Sequence, residues 1–158
     1  MKKILVLMLL FQGISYFSNA QVPGQKLVPK AVLDKFATDF PGITPKRWEV
    51  KAGKQSEAVL THNNKPCRAR YFNSGEKHFT SYHYQAAEVP SVISSSILST
   101  FVGFKVEWAT QIINHKLGTD RYWVRLTKPG YILKAFVNAD GTAVKDLKED
   151  DMKEYEGN

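Results

Sequence analysis

The chain has 158 residues, 43% of them hydrophobic, which suits one domain that buries roughly two-thirds of its unfolded surface and needs no disulfide or metal to hold together. A formal net charge of +7 directs it towards acidic partners, and a single cysteine, Cys67, excludes any disulfide within the chain. The composition offers no basic helix or nucleic-acid motif, which makes nucleic acid a poor partner for a chain whose first residues suggest export.

Those first residues have the form of a secretory signal. Lys2 and Lys3 precede an apolar run over 4–11, Gly13 and Ser15 loosen the segment, and Ser18-Asn19-Ala20 places small residues where a signal peptidase reads them. Residues 1–20 are therefore expected to be removed, leaving a domain over 21–158 with charge +5, exported to the periplasm or the exterior. The apolar run falls short of the ~20 residues that span a bilayer, so no stable membrane insertion is expected after cleavage.

Val28-Pro29 opens a first helix with Val32, Leu33, Phe36 and Phe40 at helical spacing, stopped by Pro41-Gly42. Four strands are expected next, near 47–51, 57–62, 67–72 and 78–84, divided by Ala52-Gly53-Lys54, Asn63-Asn64 and Asn73-Ser74-Gly75. Val89-Pro90 opens a second helix with Val92, Ile93, Ile97, Leu98 and Phe101, closed by Gly103. Four more strands follow near 106–113, 121–127, 131–138 and 142–147, with a longer loop over 114–120 and turns at Pro129-Gly130 and 138–141. The acidic tail 148–158 carries Glu149, Asp150, Asp151, Glu154 and Glu156, so the body is more basic than the total charge indicates.

The second series repeats the first. Val28/Val89, Pro29/Pro90, Val32/Ile93, Phe40/Phe101 and Gly42/Gly103 share an offset of 61, and Trp48/Trp108 follow at 60. After the hairpin with the longer loop the offset becomes 66 for Ala58/Val124 and Leu60/Leu126, and 65 for Tyr71/Phe136 and Asn73/Asn138. The expected fold is α+β, a tandem repeat over 28–84 and 89–147 of a helix plus a four-stranded unit. Its product is an eight-stranded antiparallel sheet with both helices on one face.

Val28-Pro29, Phe40-Pro41-Gly42 with Trp48, the strand residues Tyr122, Val124 and Leu126, and the turn Asn138-Ala139-Asp140-Gly141 resemble the PepSY-like family of exported bacterial proteins with a β-lactamase-inhibitor-protein-like (BLIP-like) fold. The resemblance covers essentially all of the chain after residue 20. It implies a non-catalytic module that binds or inhibits proteins across the open face of its sheet. These are packing and turn motifs, which specify a fold far better than a function.

Catalytic signatures are missing: the sequence has no G-x-S-x-G elbow, no phosphate-binding glycine loop and no H-E-x-x-H. Cys67 alternates with Ala69 and Tyr71 on an inward face, where a buried, inert thiol is expected; a reactive thiol is the alternative. His62, His78, His83 and His115 lack ligand spacing, and the five-residue step from His78 to His83 points them to opposite faces as solvated side chains. No catalytic residue, metal or cofactor is expected. Trp48 and Trp108, each just after a helix, are expected to be core residues.

Alternation assigns Tyr122, Val124 and Leu126 inward and Arg121, Trp123 and Arg125 outward, and likewise leaves Arg68, Arg70 and Phe72 outward. Arg and Trp are enriched where binding energy concentrates, so these six residues form the expected partner-binding face. An acidic protein surface is the expected partner. An anionic small ligand, glycan or lipid headgroup is the alternative, and an ordinary cationic, solubilising sheet face is the plain one.

Overall fold

The structure, a computed structural model, describes residues 22–52 and 54–146. The expected signal segment 1–20, the acidic tail 148–158 and Gly53 of the first turn lie outside the described residues.

The first helix, α1 (Lys30–Asp39), starts behind Pro29 and buries Val32 and Phe36, one turn apart on the same side. Phe40 leaves helical geometry and Gly42 takes a positive φ of 74°, which ends the helix where Pro41-Gly42 predicts. The second helix, α2 (Ser91–Thr100), does the same with Ile93 and Ile97 behind Pro90, and Gly103 turns the chain at φ 83°. Both prolines sit just ahead of the helix rather than in its first turn. Short 3-10 turns at Gln25–Leu27 and Ala86–Glu88 precede the helices and were not foreseen.

The strands are β1 (Arg47–Lys51), β2 (Gln55–His62), β3 (Lys65–Phe72), β4 (Lys77–Gln85), β5 (Lys105–Asn114), β6 (Thr119–Lys128) and β7 (Tyr131–Asn138). A two-residue segment, β8 (Lys145–Asp146), pairs with β7. All pairings are antiparallel and the strands lie side by side in chain order. Long ladders account for the difference from expectation: β5 and β6 pair out to Asn114↔Thr119, which shortens the expected loop 114–120 to 115–118.

Each helix closes a core on the same face of the sheet. Phe36 packs edge-on against Trp48 at 5.2 Å and Tyr71 at 6.5 Å, above Ala58, Leu60, Cys67 and Ala69. Ile93 and Ile97 sit over Ala109, Tyr122, Val124, Leu126, Ala135 and Val137. The alternation of apolar side chains along β3 and β6 is thus the alternation that is buried.

Two bulges overturn readings made by simple alternation. Between Val106 and Trp108 the β5–β6 register slips, with Val106 opposite Leu126 and Trp108 opposite Arg125. Glu107 is the extra residue, so Trp108 turns away from α2 instead of packing beneath it, and only Trp48 of the two expected core tryptophans is in the core. The second slip falls opposite Arg70/Tyr71 and makes His78 the extra residue of β4. His78 is only 7% exposed, not solvated, and stacks on Phe72 at 4.7 Å. It therefore lies on the same open side as His83, contrary to the parity of their spacing.

Candidate functional site

The face opposite the helices holds a groove of about 470 Å³ lined by Phe79, Trp108, Ile112 and Trp123 on one side and Lys51, Glu57, Arg68 and Arg70 on the other. The apolar wall comes from β4, β5 and β6, the charged wall from β1, β2 and β3. A second hollow of about 380 Å³ continues along the same face and shares Arg68, Ser81 and Thr110 with the first.

The apolar wall has its own small core. Phe79, Ile112 and Phe136 are buried against one another with Trp123 packed over them, its ring edge-on to Phe136 at 5.6 Å. Trp108 stands beside His83 at 5.5 Å between centroids. Both tryptophans are half-buried and both line the groove.

The charged wall is organised around Glu57, a carboxylate only 1% exposed. Arg68 Nη1 donates to one oxygen at 2.6 Å, and Arg70 donates to the other through Nε at 3.0 Å and Nη2 at 2.9 Å. The Arg70 guanidinium also lies over the Phe79 ring at 4.3 Å, joining the two walls. Glu49 adds a second carboxylate, reached by Lys51 at 2.5 Å, Arg47 at 2.7 Å and Arg68 at 3.6 Å. The hydrogen bond from Lys51 does most to pull the Glu49 carboxyl down to about 2; partial burial opposes it and the Arg47 bond adds to it. Arg47, Lys51, Arg68 and Arg70 against two carboxylates leave this wall positive, and Arg68, with 45% of its side chain exposed, is the more accessible of the two arginines that hold Glu57.

Of the six residues expected at the partner face, Arg68, Arg70 and Trp123 line the groove. Arg125 lies beside it, opposite Trp108, and donates from Nε to Glu107 at 2.8 Å. Phe72 is at the end of β3, stacked under His78 with the Lys116 ammonium over its ring at 5.6 Å. Arg121 stands apart, in a separate hollow with Asp120 and Asp140. Reading the arginines alone missed Glu57, Glu49, Phe79 and Trp108. The carboxylate was within reach: a two-residue turn at Asn63-Asn64 fixes a register that places Glu57 directly opposite Arg70.

Cys67 is 2% exposed, and burial pushes its thiol up to about 11. His62 bonds the Tyr82 hydroxyl at 2.9 Å and packs edge-on to Phe40. His115 Nε2 bonds the Thr80 hydroxyl at 3.0 Å. Among the described residues no group of three or more His, Cys, Asp or Glu is placed to hold a metal.

Solved structures share this architecture. A BLIP-like protein from Bacteroides fragilis NCTC 9343 superposes with a TM-score of 0.63 at 14% identity, over 82% of this chain and 89% of that one. The fold is BLIP-like. A DUF2874 family protein from Bacteroides uniformis ATCC 8492 shares it with a TM-score of 0.64 at 12% identity, over 75% of this chain and 89% of its own. So does a candidate periplasmic protein from Bacteroides eggerthii DSM 20697, with a TM-score of 0.60 at 15% identity, over 76% and 89%. No protein-family profile matches the chain, and no curated protein does. Sequence identity this low carries the BLIP-like fold and nothing finer.

Proposed function

We propose that the protein is an exported, non-catalytic binding module that grips an acidic protein surface through the open face of its BLIP-like sheet. The observation that carries this reading is the groove itself: two half-buried tryptophans facing Arg68 and Arg70 on the side of the sheet that the helices leave uncovered. Such a surface pairs a large apolar contact area with directed cationic donors, the combination that concentrates binding energy. Glu57 holds Arg68 and Arg70 in place, so an incoming carboxylate meets donors already oriented and competes for only part of their bonding capacity. Export to the periplasm or exterior is supported by the signal-like residues 1–20 and by the description of the Bacteroides eggerthii neighbour. The two halves are taken as copies of one helix-plus-four-strand unit completing an eight-stranded sheet, supported by the matching order α1-β1-β2-β3-β4 and α2-β5-β6-β7-β8.

Capture from envelope and secreted fractions tests the reading, with the natural chain run beside Trp108→Ala/Trp123→Ala and Arg68→Ala forms. The expected result is a protein retained by the natural chain and lost by both variants. A protein retained equally by all three would refute the site. A second reading, an anionic small ligand in the groove, is favoured by one observation: about 470 Å³ is within the size range of small-ligand sites. Thermal stabilisation by anionic ligands, with no protein captured, would select it.

A further inference from the structure

A separate apolar tip lies at one end of the sheet, away from the groove. Val102, in the link from α2 to β5, is 79% exposed, and Tyr131 and Ile132, just past the Pro129-Gly130 turn, are 65% and 63% exposed. Single exposed apolar side chains are ordinary, but here three stand on two adjoining turns, Tyr131 towards the helix side of the sheet and Ile132 towards its open side. The turns are bound together: the Lys128 ammonium sits 4.4 Å from the Phe104 ring centre and 4.9 Å from that of Tyr131. Lys105 pairs with Thr127, and Thr127 with Ile132, in the same corner. Segments 98–105 and 127–134 contain Lys105, Lys128 and Lys134 and no carboxylate.

The fold does not require this surface to be apolar. In the first half the link from α1 to β1 turns through Pro41 and Gly42, and the hairpin between β2 and β3 carries Asn63 and Asn64 and leads into Lys65. The same architecture thus closes with Pro, Gly and Asn there and with Val, Tyr and Ile in the second half.

We propose that this tip is a membrane-surface contact: Val102, Tyr131 and Ile132 enter the interfacial layer of an anionic bilayer while Lys105 and Lys128 meet its headgroups. Tyrosine and lysine around aliphatic side chains are the composition suited to that layer, the ring at headgroup depth and the ammonium reaching outward. Charge selects the occupant. A second copy docking tip to tip would bring the lysines of both molecules together, whereas an anionic lipid surface neutralises them. No described helix is long and apolar enough to cross a membrane, and three apolar side chains give peripheral, reversible contact.

The test places an environment-sensitive dye on the exported chain 21–158, in a Cys67→Ala background, either at Ile132→Cys or at Asn64→Cys on the hairpin of the first half. Vesicles of phosphatidylcholine and phosphatidylglycerol in equal parts should shift the emission at position 132 to the blue and leave position 64 unchanged. Phosphatidylcholine alone should give about a tenfold smaller response, as should a Val102→Ser/Tyr131→Ser form, whose exposed substitutions leave the fold intact. No shift at 132, an equal shift at both positions, or a shift that survives the serine substitutions overturns the proposal. So does concentration-dependent dimerisation through the tip in the absence of lipid.

Discussion

Replacing Glu57 by Gln keeps the side chain's volume and removes the charge that two arginines share. Glu57 is 1% exposed and the Arg70 side chain 11%, so Arg70 has little water to fall back on once the carboxylate is gone. Removing one member of a buried, hydrogen-bonded ion pair costs roughly 3–5 kcal/mol. Arg68, at 45% exposure, can turn into solvent, which lowers the expected loss to about 2–3 kcal/mol. In a domain of this size that is a fall in Tm of about 10 °C. The surface pair Lys30–Asp34, with side chains 86% and 62% exposed, is the control: Lys30→Gln should move Tm by less than about 2 °C. Thermal unfolding followed by circular dichroism measures both. Glu57→Met combined with Arg70→Met should recover much of the loss, because two apolar side chains replace two charges that needed each other. A Glu57→Gln form as stable as Lys30→Gln would show that water, not the carboxylate, satisfies these guanidinium groups, and the preorganised charged wall would have to be abandoned.

Acid should unfold the protein through carboxylates held below their ordinary values. For Glu49 the folded value is about 2 against an ordinary 4.5, so its contribution is complete above pH 4.5 and is lost as pH falls from there towards 2. Asp39 acts in the same direction: burial raises its carboxyl, but the bond from Lys35 with Lys77 and the Tyr71 hydroxyl outweighs it and leaves the carboxyl low. Melting temperatures measured down through this range should flatten in Glu49→Gln; an unchanged acid slope would contradict the assignment. Cys67, buried with its thiol raised to about 11, should resist thiol reagents in the folded chain at pH 8 and react at once in denaturant. Labelling of the folded chain at the rate of a free thiol would refute that placement.

The helices, their proline starts and glycine stops, and the inward sides of β3 and β6 were legible because period and turn chemistry agree there. Arg68, Arg70 and Trp123 followed from that alternation. Trp108 and His78 did not, because a bulge shifts parity by one residue and neither Glu107 nor His78 is a residue type that announces one. The small core of Phe79, Ile112 and Phe136 was hidden for a related reason. Alternation assigns an outward side chain to solvent, whereas the neighbouring outward side chains here bury one another. The Tyr71/Phe136 equivalence shows the same limit: Tyr71 points to α1, whereas Phe136 is buried on the opposite side of the sheet beneath Trp123.

Because the strands lie in chain order, nearly every pairing joins residues linked by a tight turn. The exception is the seam of β4 with β5, where Gln85 meets Trp108 only after the chain has looped through residues 86–104. Contact order is therefore low for a β-rich protein, and each half can assemble from local hairpins before the loop entropy of that seam is met. The groove spans this seam, since its apolar wall combines Phe79 of β4 with Trp108, Ile112 and Trp123 of β5 and β6. Its apolar wall is therefore complete only when this least local pairing has formed, and the groove exists only once both halves are joined.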